Sequence, residues 1–404
     1  MVNIAVLGYG VVGSGVVEVI ETNKSIVNKK SGQELEVKYI LDLRDFPGDP
    51  HENKVVHSFD PIIEDDSVRI ICETMGGVDP AYQYTKAALE KGKSVCTSNK
   101  AVVAKHGAEL LAIAKKNNCS YLFEASVGGG IPIIRPFNEC LTAEKIEGVV
   151  GILNGTTNYI LSKMDKEGAD FATVLKEAQE KGYAERNPEA DVEGYDACRK
   201  IAILSSLMMG KNVDYEKIYT EGITKITAAD FDYAKKSGKT IKLLAMSKAV
   251  SEDEVLAMVA PAMISREHPL AMVNDVFNGV FVTGNMLGDS MYYGRGAGKL
   301  PTASAVVGDV IECAKFLGEN IVCFWDKDEA QLVSVADTQR AFYVRAKADA
   351  LEAVKAAFPD GEIVTLEGRS EDFGYFTKVL QEKDFAAKCE ALGDVILSKV
   401  RVEA

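Results

Sequence analysis

The stretch VNIAVLGYGVVGSG, residues 2–15, starts as a β-branched apolar run and passes into Gly8-Tyr9-Gly10-Val11-Val12-Gly13, with a helical stretch expected over 11–27. A G-x-G-x-x-G series between a strand and a helix is the context that a dinucleotide-binding turn requires. Glycine at 8, 10 and 13 permits a tight turn and close backbone approach, and the free N–H groups at the helix start, at Val11, Val12 and Gly13, can receive a pyrophosphate.

Outward from this turn, residues 1–130 keep alternating. VKYILDL (37–43), VRIICETM (68–75), SVCTS (94–98) and SYLFEAS (120–126) read as strands, separated by helical stretches near 81–91 and 107–117. Strand–helix alternation of this kind predicts a parallel, doubly wound sheet. The second strand ends in Leu41-Asp42-Leu43-Arg44-Asp45. An acid there accepts hydrogen bonds from the ribose hydroxyls of NAD, whereas an arginine suits the extra phosphate of NADP. Both residue types are present, so the expectation is NADP or NAD, with Arg44 tipping it slightly to NADP. Thr74 and Gly76 in CETMGG (72–77), and Ser98 and Lys100 in TSNK (97–100), fall at the C-terminal ends of predicted strands, the ligand-binding edge of such a sheet.

After residues 128–132 the pattern changes. A long middle section mixes strands such as KIEGVVGILN (145–154) with helices near 170–181 and 191–210, glycine is dense over 279–298, and a helix is expected over 302–317. From 340 the order becomes βαββαβ, a compact unit in its own right. It offers no obvious cluster of chemical groups, which suits regulation or oligomerisation better than catalysis.

At 404 residues the chain is longer than one core usually serves, and its 47% apolar and 26% charged composition is that of a globular protein. Acids outnumber bases 60 to 46, and a formal charge of −14 argues against nucleic acid as a partner. No apolar run is long enough to cross a bilayer and no signal-peptide pattern opens the chain, so a cytoplasmic location and no membrane partner are expected. The eight cysteines include no C-x-x-C pair and the four histidines no metal-ligand spacing. Free buried thiols are expected, and any acid–base chemistry falls to Lys, Asp and Glu.

YDACRK (195–200) places Asp196 and Lys200 four residues apart, neighbours on a helix. Spacing alone is that of a surface salt bridge. On a helical wheel, however, Ala197, Ile201, Leu204 and Met208 form the apolar stripe, and Asp196 and Lys200 lie on the edge shared with Ile203 and Leu207 rather than on the far side. A partly buried lysine beside a carboxylate can hydrogen-bond or protonate an oxygen during reduction. Glu185, Glu189, Asp191 and Glu193 just upstream suit a small substrate that carries its own ammonium group.

GYAERNPEADVEGYDACRK (182–200) resembles the active-site segment of the homoserine dehydrogenase family, as do LNGTTNYIL (153–161), EASVGGGIP (124–132) and GRGAGKLPTASAVVGD (294–309). Four separated motifs in the family's order carry the resemblance from the N-terminal turn to about residue 317. It implies reversible NAD(P)H-dependent reduction of L-aspartate 4-semialdehyde to L-homoserine. It implies that Lys200 polarises and protonates the carbonyl oxygen with Asp196 holding it, and that Lys100 is the rival proton donor. Glu185 and Asp191 match substrate-contacting positions, Glu185 for the ammonium group. Gly155, Thr156 and Thr157 shape the substrate pocket, and Gly298 joins the cofactor contacts. The family's monovalent cation, usually sodium, would be held by Glu124 and the carbonyls of Val127, Gly129 and Ile131.

The implied architecture is α/β throughout: a Rossmann domain over 1–132 with helix 302–317 returning to it, an α+β substrate and dimerisation domain over 133–301, and an ACT-like domain over 340–404. A homodimer or homotetramer and an amino-acid effector at the tail belong to the same implication. Two departures stand out. Glu185-Arg186-Asn187-Pro188 replaces the family's usual E-P-D-P, changing the stiffness and charge of that loop. Residues 346–350, AKADA, lack the glycine that usually follows the first strand of an ACT ligand site, which argues against threonine inhibition. Two rival readings remain at this point: an oxidoreductase of similar build acting on another amino-acid aldehyde or ketone, and a non-catalytic sensor of NAD(P) and an amino acid.

Overall fold

A computed structural model describes residues 1–403. The first sheet contains strands β1 (Val2–Leu7), β2 (Leu35–Leu41), β3 (Val55–Val56), β4 (Val68–Glu73), β5 (Ser94–Thr97) and β6 (Tyr121–Leu122), all parallel, in the order β3-β2-β1-β4-β5-β6. The order reverses between β1 and β4, so the crevice for a dinucleotide opens above their C-terminal ends. This is the doubly wound sheet that the alternation predicts. The helix expected over 11–27 is two, Val11–Thr22 and Lys24–Ser31, broken at Asn23. The helix expected near 107 begins earlier, at Lys100, because Asn99 accepts hydrogen bonds from Ala101 N and Val102 N and caps it there.

The helix Lys299–Lys315 lies against the first sheet, with Val306, Val307, Val310 and Cys313 in one apolar core with Ile4, Val6, Val16 and Ile20. Gly15 makes this close packing feasible, since a Cβ there would come within 2.9 Å of Lys299 O and 3.0 Å of Ala303 Cβ.

The second sheet takes β7 (Ile146–Ile152), β8 (Tyr219–Thr220), β9 (Lys239–Ala249), β10 (Glu254–Ser265), β11 (Phe277–Gly284) and β12 (Gly288–Arg295) from the middle of the chain, then β13 (Gln331–Leu332), β14 (Gln339–Lys347), β15 (Glu362–Val364), β16 (Asp372–Phe376), β17 (Leu380–Gln381) and β18 (Ile396–Val402). Its main path is β12-β11-β7-β9-β10-β18-β14-β16-β15. The tail has the βαββαβ order read from sequence with one two-residue strand, β17, added before its second helix, but it is not separate: β18 pairs with β10 at Ala262↔Arg401 and Met263↔Val402, so one sheet runs through body and tail.

Tyr195–Met209 lies between β9 and β10 on one side and the Lys100–Lys116 helix on the other, and it is buried nearly all round. The helix expected over 191–210 is thus two pieces, Glu189–Val192 and Tyr195–Met209, split at Gly194. Gly194 takes φ +85°, and a Cβ there would also sit 3.1 Å from Thr220 Cγ2. The break puts Asp196 in the first turn of the buried helix.

Candidate active site

At the cofactor turn, Gly8 has φ +87° and Gly13 approaches it so closely that a Cβ on Gly13 would lie 1.9 Å from Gly8 O. Thr74 clasps the same turn from β4, its Oγ1 donating to Leu7 O at 3.0 Å and Gly8 O at 2.9 Å. Nothing stands within 4 Å of a Cβ built on Gly10 or Gly76, which leaves room for a ligand. Among the described residues, the N–H groups of Val11, Val12 and Gly13 have no hydrogen-bond partner, the condition for an anion at a helix start.

Asp42, at the end of β2, accepts from Tyr9 N at 2.8 Å and from Arg44 Nε and Nη2, both at 2.9 Å. Hydrogen bonding from Arg44 outweighs partial burial and holds the Asp42 carboxyl down at about 2. Arg44 itself is largely exposed beside Phe46.

Across the crevice, three parts of the chain converge on one carboxylate. Asp196 Oδ1 meets Lys100 Nζ at 2.6 Å, and Oδ2 meets Lys200 Nζ at 2.7 Å. Lys200 also donates to Leu153 O at 2.7 Å. Asn154, the cap of the Gly155–Glu167 helix, accepts from Thr157 N with its Oδ1, while its amide donates to Asp196 Oδ2 at 2.9 Å and Asp191 Oδ1 at 2.7 Å. Burial alone would raise the Asp196 carboxyl, but Lys200 and Lys100 hold it well below its usual range. Burial lowers the Lys200 ammonium, opposed by Asp196 and helped by Lys100. Asp191 is raised by burial and by the Asp196 charge.

Lys100, Asp191, Asp196 and Lys200 are therefore brought together. Thr156 and Thr157 lie buried beside them, Thr156 Oγ1 donating to Tyr183 O at 2.6 Å, and Gly155 packs under Val276 O. Glu185 stands apart on the exposed 182–188 loop, and among the described residues its carboxylate has no hydrogen-bond partner. Gly298 caps the Lys299–Lys315 helix, and Ser98 N donates to Glu73 O at 3.2 Å on the cofactor edge. Asn154 lies outside the residues to which the sequence assigns a role. Its only signal is an amide at a strand-to-helix junction, the place where an Asn cap belongs.

The 124–131 loop is built around acids. Glu124 takes hydrogen bonds from Ile133 N, Ile134 N and Arg135 N at 2.6, 2.9 and 2.7 Å. Its own N–H donates to Asp309 Oδ2, whose carboxyl burial and the Glu124 charge push up to about 8 against the Arg135 guanidinium. Val127, Gly129 and Ile131 are buried, and among the described residues no hydrogen bond reaches their carbonyl oxygens. No group of three or more His, Cys, Asp or Glu side chains able to hold a metal occurs among the described residues, and no helix is long and apolar enough to cross a membrane. All eight cysteines are free thiols, six of them buried.

A doubly wound parallel sheet with an open glycine turn, together with a lysine–aspartate–lysine cluster, is the build of a nicotinamide-dependent oxidoreductase acting on a CH–OH group. Two family models match, one described as "Homoserine dehydrogenase, NAD binding domain" over residues 8–124 and one as "Homoserine dehydrogenase" over 132–311. A homoserine dehydrogenase of Synechocystis is 46% identical over 317 residues, 77% of this chain and 72% of its own. The crystal structure of a homoserine dehydrogenase from Thiobacillus denitrificans superimposes with TM-score 0.90 at 32% identity, covering 100% of this chain and 98% of that one. A hyperthermophilic archaeal homoserine dehydrogenase in complex with NADPH covers 77% of this chain and 97% of its own, with TM-score 0.65 at 29% identity. The chain belongs to the homoserine dehydrogenase family.

Proposed function

We propose that Lys200 carries the proton in the interconversion of L-homoserine and L-aspartate 4-semialdehyde, and that Lys100 and Asp196 align it. The observation behind this reading is that two of the three Lys200 N–H groups are fixed, on Leu153 O and Asp196 Oδ2, which aims the third. A bound nicotinamide supplies or accepts the hydride. In the oxidation direction, neutral Lys200 takes the hydroxyl proton as the carbinol C–H leaves as hydride. In reduction, the ammonium returns that proton to the carbonyl oxygen. Burial lowers the Lys200 pKa and so eases this exchange. A second reading assigns the proton to Lys100, since its side chain is 40% exposed against 10% for Lys200 and is the easier for substrate to reach. Initial rates of NADP+ reduction with L-homoserine for Lys200→Met and Lys100→Met separate the two. Loss of turnover in Lys100→Met alone would reverse the assignment.

The finer features follow the same geometry. Glu185, unpaired at the loop rim, and Asp191 take the substrate ammonium, and Gly155, Thr156 and Thr157 form the floor. Gly8, Gly10, Val11, Val12, Gly13, Thr74, Gly76, Ser98 and Gly298 line the dinucleotide. NADP is favoured over NAD because both Asp42 oxygens are occupied while the outer end of Arg44 is exposed.

The all-oxygen set of Glu124 and the carbonyls of Val127, Gly129 and Ile131 fits a hard monovalent cation such as sodium, because buried carbonyls without donors require a partner. The body strands over 133–301 carry the dimer or tetramer contact through edge strand β12, where Tyr293 and the turn residues Met286 and Leu287 are exposed. The tail is an ACT-like unit whose first turn, Ala348–Ala350, contains no glycine, so no cooperative inhibition by millimolar threonine is expected. A cytoplasmic location accords with this chemistry.

A further inference from the structure

We propose that Glu73 is the positioning residue for Lys100: through Thr97 and Asn99 it locks the two turns at the cofactor edge together, and so fixes where the Lys100 ammonium meets Asp196. Glu73 ends β4 and is fully buried, with no ion pair among the described residues. Its Oε2 accepts from Thr97 Oγ1 at 2.6 Å, and the same hydroxyl accepts from Asn99 N at 2.9 Å. Its Oε1 accepts from Met75 N at 2.8 Å and, more weakly, from Asn99 Nδ2 at 3.5 Å. Asn99 in turn donates to Gly77 O at 2.7 Å and accepts from Ala101 N and Val102 N at 3.2 and 3.3 Å, capping the helix whose first residue is Lys100. One carboxylate thus controls both the 74–77 turn and the 97–100 turn.

An unpaired buried carboxylate is costly, and an apolar side chain would fill the same space at less cost if packing were the whole requirement. Burial pushes the Glu73 carboxyl up to about 7 in spite of its hydrogen bonds. What a carboxylate supplies and an apolar group cannot is acceptor capacity on both oxygens, turned towards three donors. The nearby Tyr121 hydroxyl, raised by burial and by the Glu73 charge, has no hydrogen-bond partner, so it does not share this role.

The inference rests on the reading that Lys100 belongs to the reacting centre. Steady-state kinetics with L-homoserine and NADP+, together with cofactor affinity from nucleotide fluorescence, test it on Glu73→Gln, Thr97→Val, Thr97→Ser and Lys100→Met. Glu73→Gln and Thr97→Val are expected to lower kcat about 10- to 100-fold, the scale of a small misplacement of a reacting group. KM for L-homoserine and the cofactor Kd should stay within about threefold. Thr97→Ser, which keeps the hydroxyl, should restore most of kcat. If Glu73→Gln fails to fold, the Thr97→Val and Thr97→Ser pair carries the same test. Slow Lys100→Met beside unimpaired Glu73→Gln and Thr97→Val overturns the positioning role alone. Unimpaired Lys100→Met overturns the underlying reading and this role with it.

Discussion

Two clusters of charge, one where the Lys100–Lys116 helix of the first sheet meets the Tyr195–Met209 helix and one within the second sheet and its helices, are built around opposite centres. In the crevice, one carboxylate, Asp196, serves two lysines. At the junction of body and tail, one buried guanidinium serves two carboxylates: Arg345 Nε meets Asp230 Oδ1 at 3.0 Å, and Nη1 meets Asp372 Oδ2 at 2.8 Å. The junction is closed. Asp230 caps its own helix through Thr227, Asp372 also accepts from Tyr233 and Arg369, and Arg345 Nη2 reaches Thr227 Oγ1. In the crevice, ammonium donors are left over, since Lys100 has three N–H groups and one protein partner among the described residues. On the reading proposed above, surplus donors near an open glycine turn are there for a ligand, whereas saturated acceptors where body and tail meet hold the fold together.

The contrast is tested most severely at the two central cations. Lys200→Met is expected to lower kcat by about two to four orders of magnitude, as loss of a general acid–base would, while thermal unfolding changes little because Asp196 keeps Lys100. Arg345→Met is expected to do the reverse. Stranding Asp230, which has no other cationic partner among the described residues while Asp372 keeps Arg369, should cost about 3–5 kcal/mol of stability, read from denaturant unfolding, with kcat retained below the transition. If Lys200→Met unfolds the protein as readily as Arg345→Met, the two clusters are alike and the distinction fails.

The pH dependence sharpens the same comparison. Asp372 is held below its ordinary value: burial works upward, but hydrogen bonds from Arg369, Tyr233 and Arg345 outweigh it. Its contribution is complete above the unfolded carboxyl value and is lost as pH falls through the lower folded one, so the junction weakens only in strong acid. Lys200 is shifted downward from 10.5, so the rate of homoserine oxidation, which needs the neutral amine, should rise with pH along a limb that lies below 10.5. Asp196→Asn removes the anion that supports the ammonium form and should move that limb lower. Lys100→Met removes a repelling charge and should move it the other way. A limb that ignores both changes would take Lys200 out of the proton transfer.

What was legible in the sequence follows the range of the interactions. The doubly wound sheet was readable from residues 2–15 and the alternation behind them, since each element there is specified by its own apolar period. The burial of Asp196 and Lys200 was readable from the helical wheel. The break at Gly194 was hidden because the apolar pattern continues across it, although a glycine in that position is itself a stop signal. Asn154 bridges to Asp196 across 42 residues and Glu73 reaches Thr97 across 24, and no local pattern encodes such pairs. The joining of body and tail into one sheet was likewise invisible, because the β10–β18 pairing is chosen by packing between distant strands.

The smallest expected effect lies at the end of β2, where the Arg44 guanidinium is neither buried nor in surplus. Arg44 is 62% exposed in its side chain and already holds Asp42. A phosphate on the NADP ribose would compete with that carboxylate for the guanidinium in high dielectric, where an ion pair is worth up to about 1 kcal/mol. Arg44→Ala should therefore shift the NADP over NAD ratio of kcat/KM by only about two- to fivefold. Because it also frees Asp42 to accept from the ribose hydroxyls, part of the shift should come from improved use of NAD rather than from loss of NADP. Raising the ionic strength of the wild-type assay should reproduce the loss of NADP preference without that gain, since salt screens the guanidinium–phosphate attraction but leaves Asp42 tied to Arg44 and Tyr9. If the mutant and the salted wild type match in both cofactors, Asp42 plays no part in the choice and Arg44 acts as an isolated surface charge.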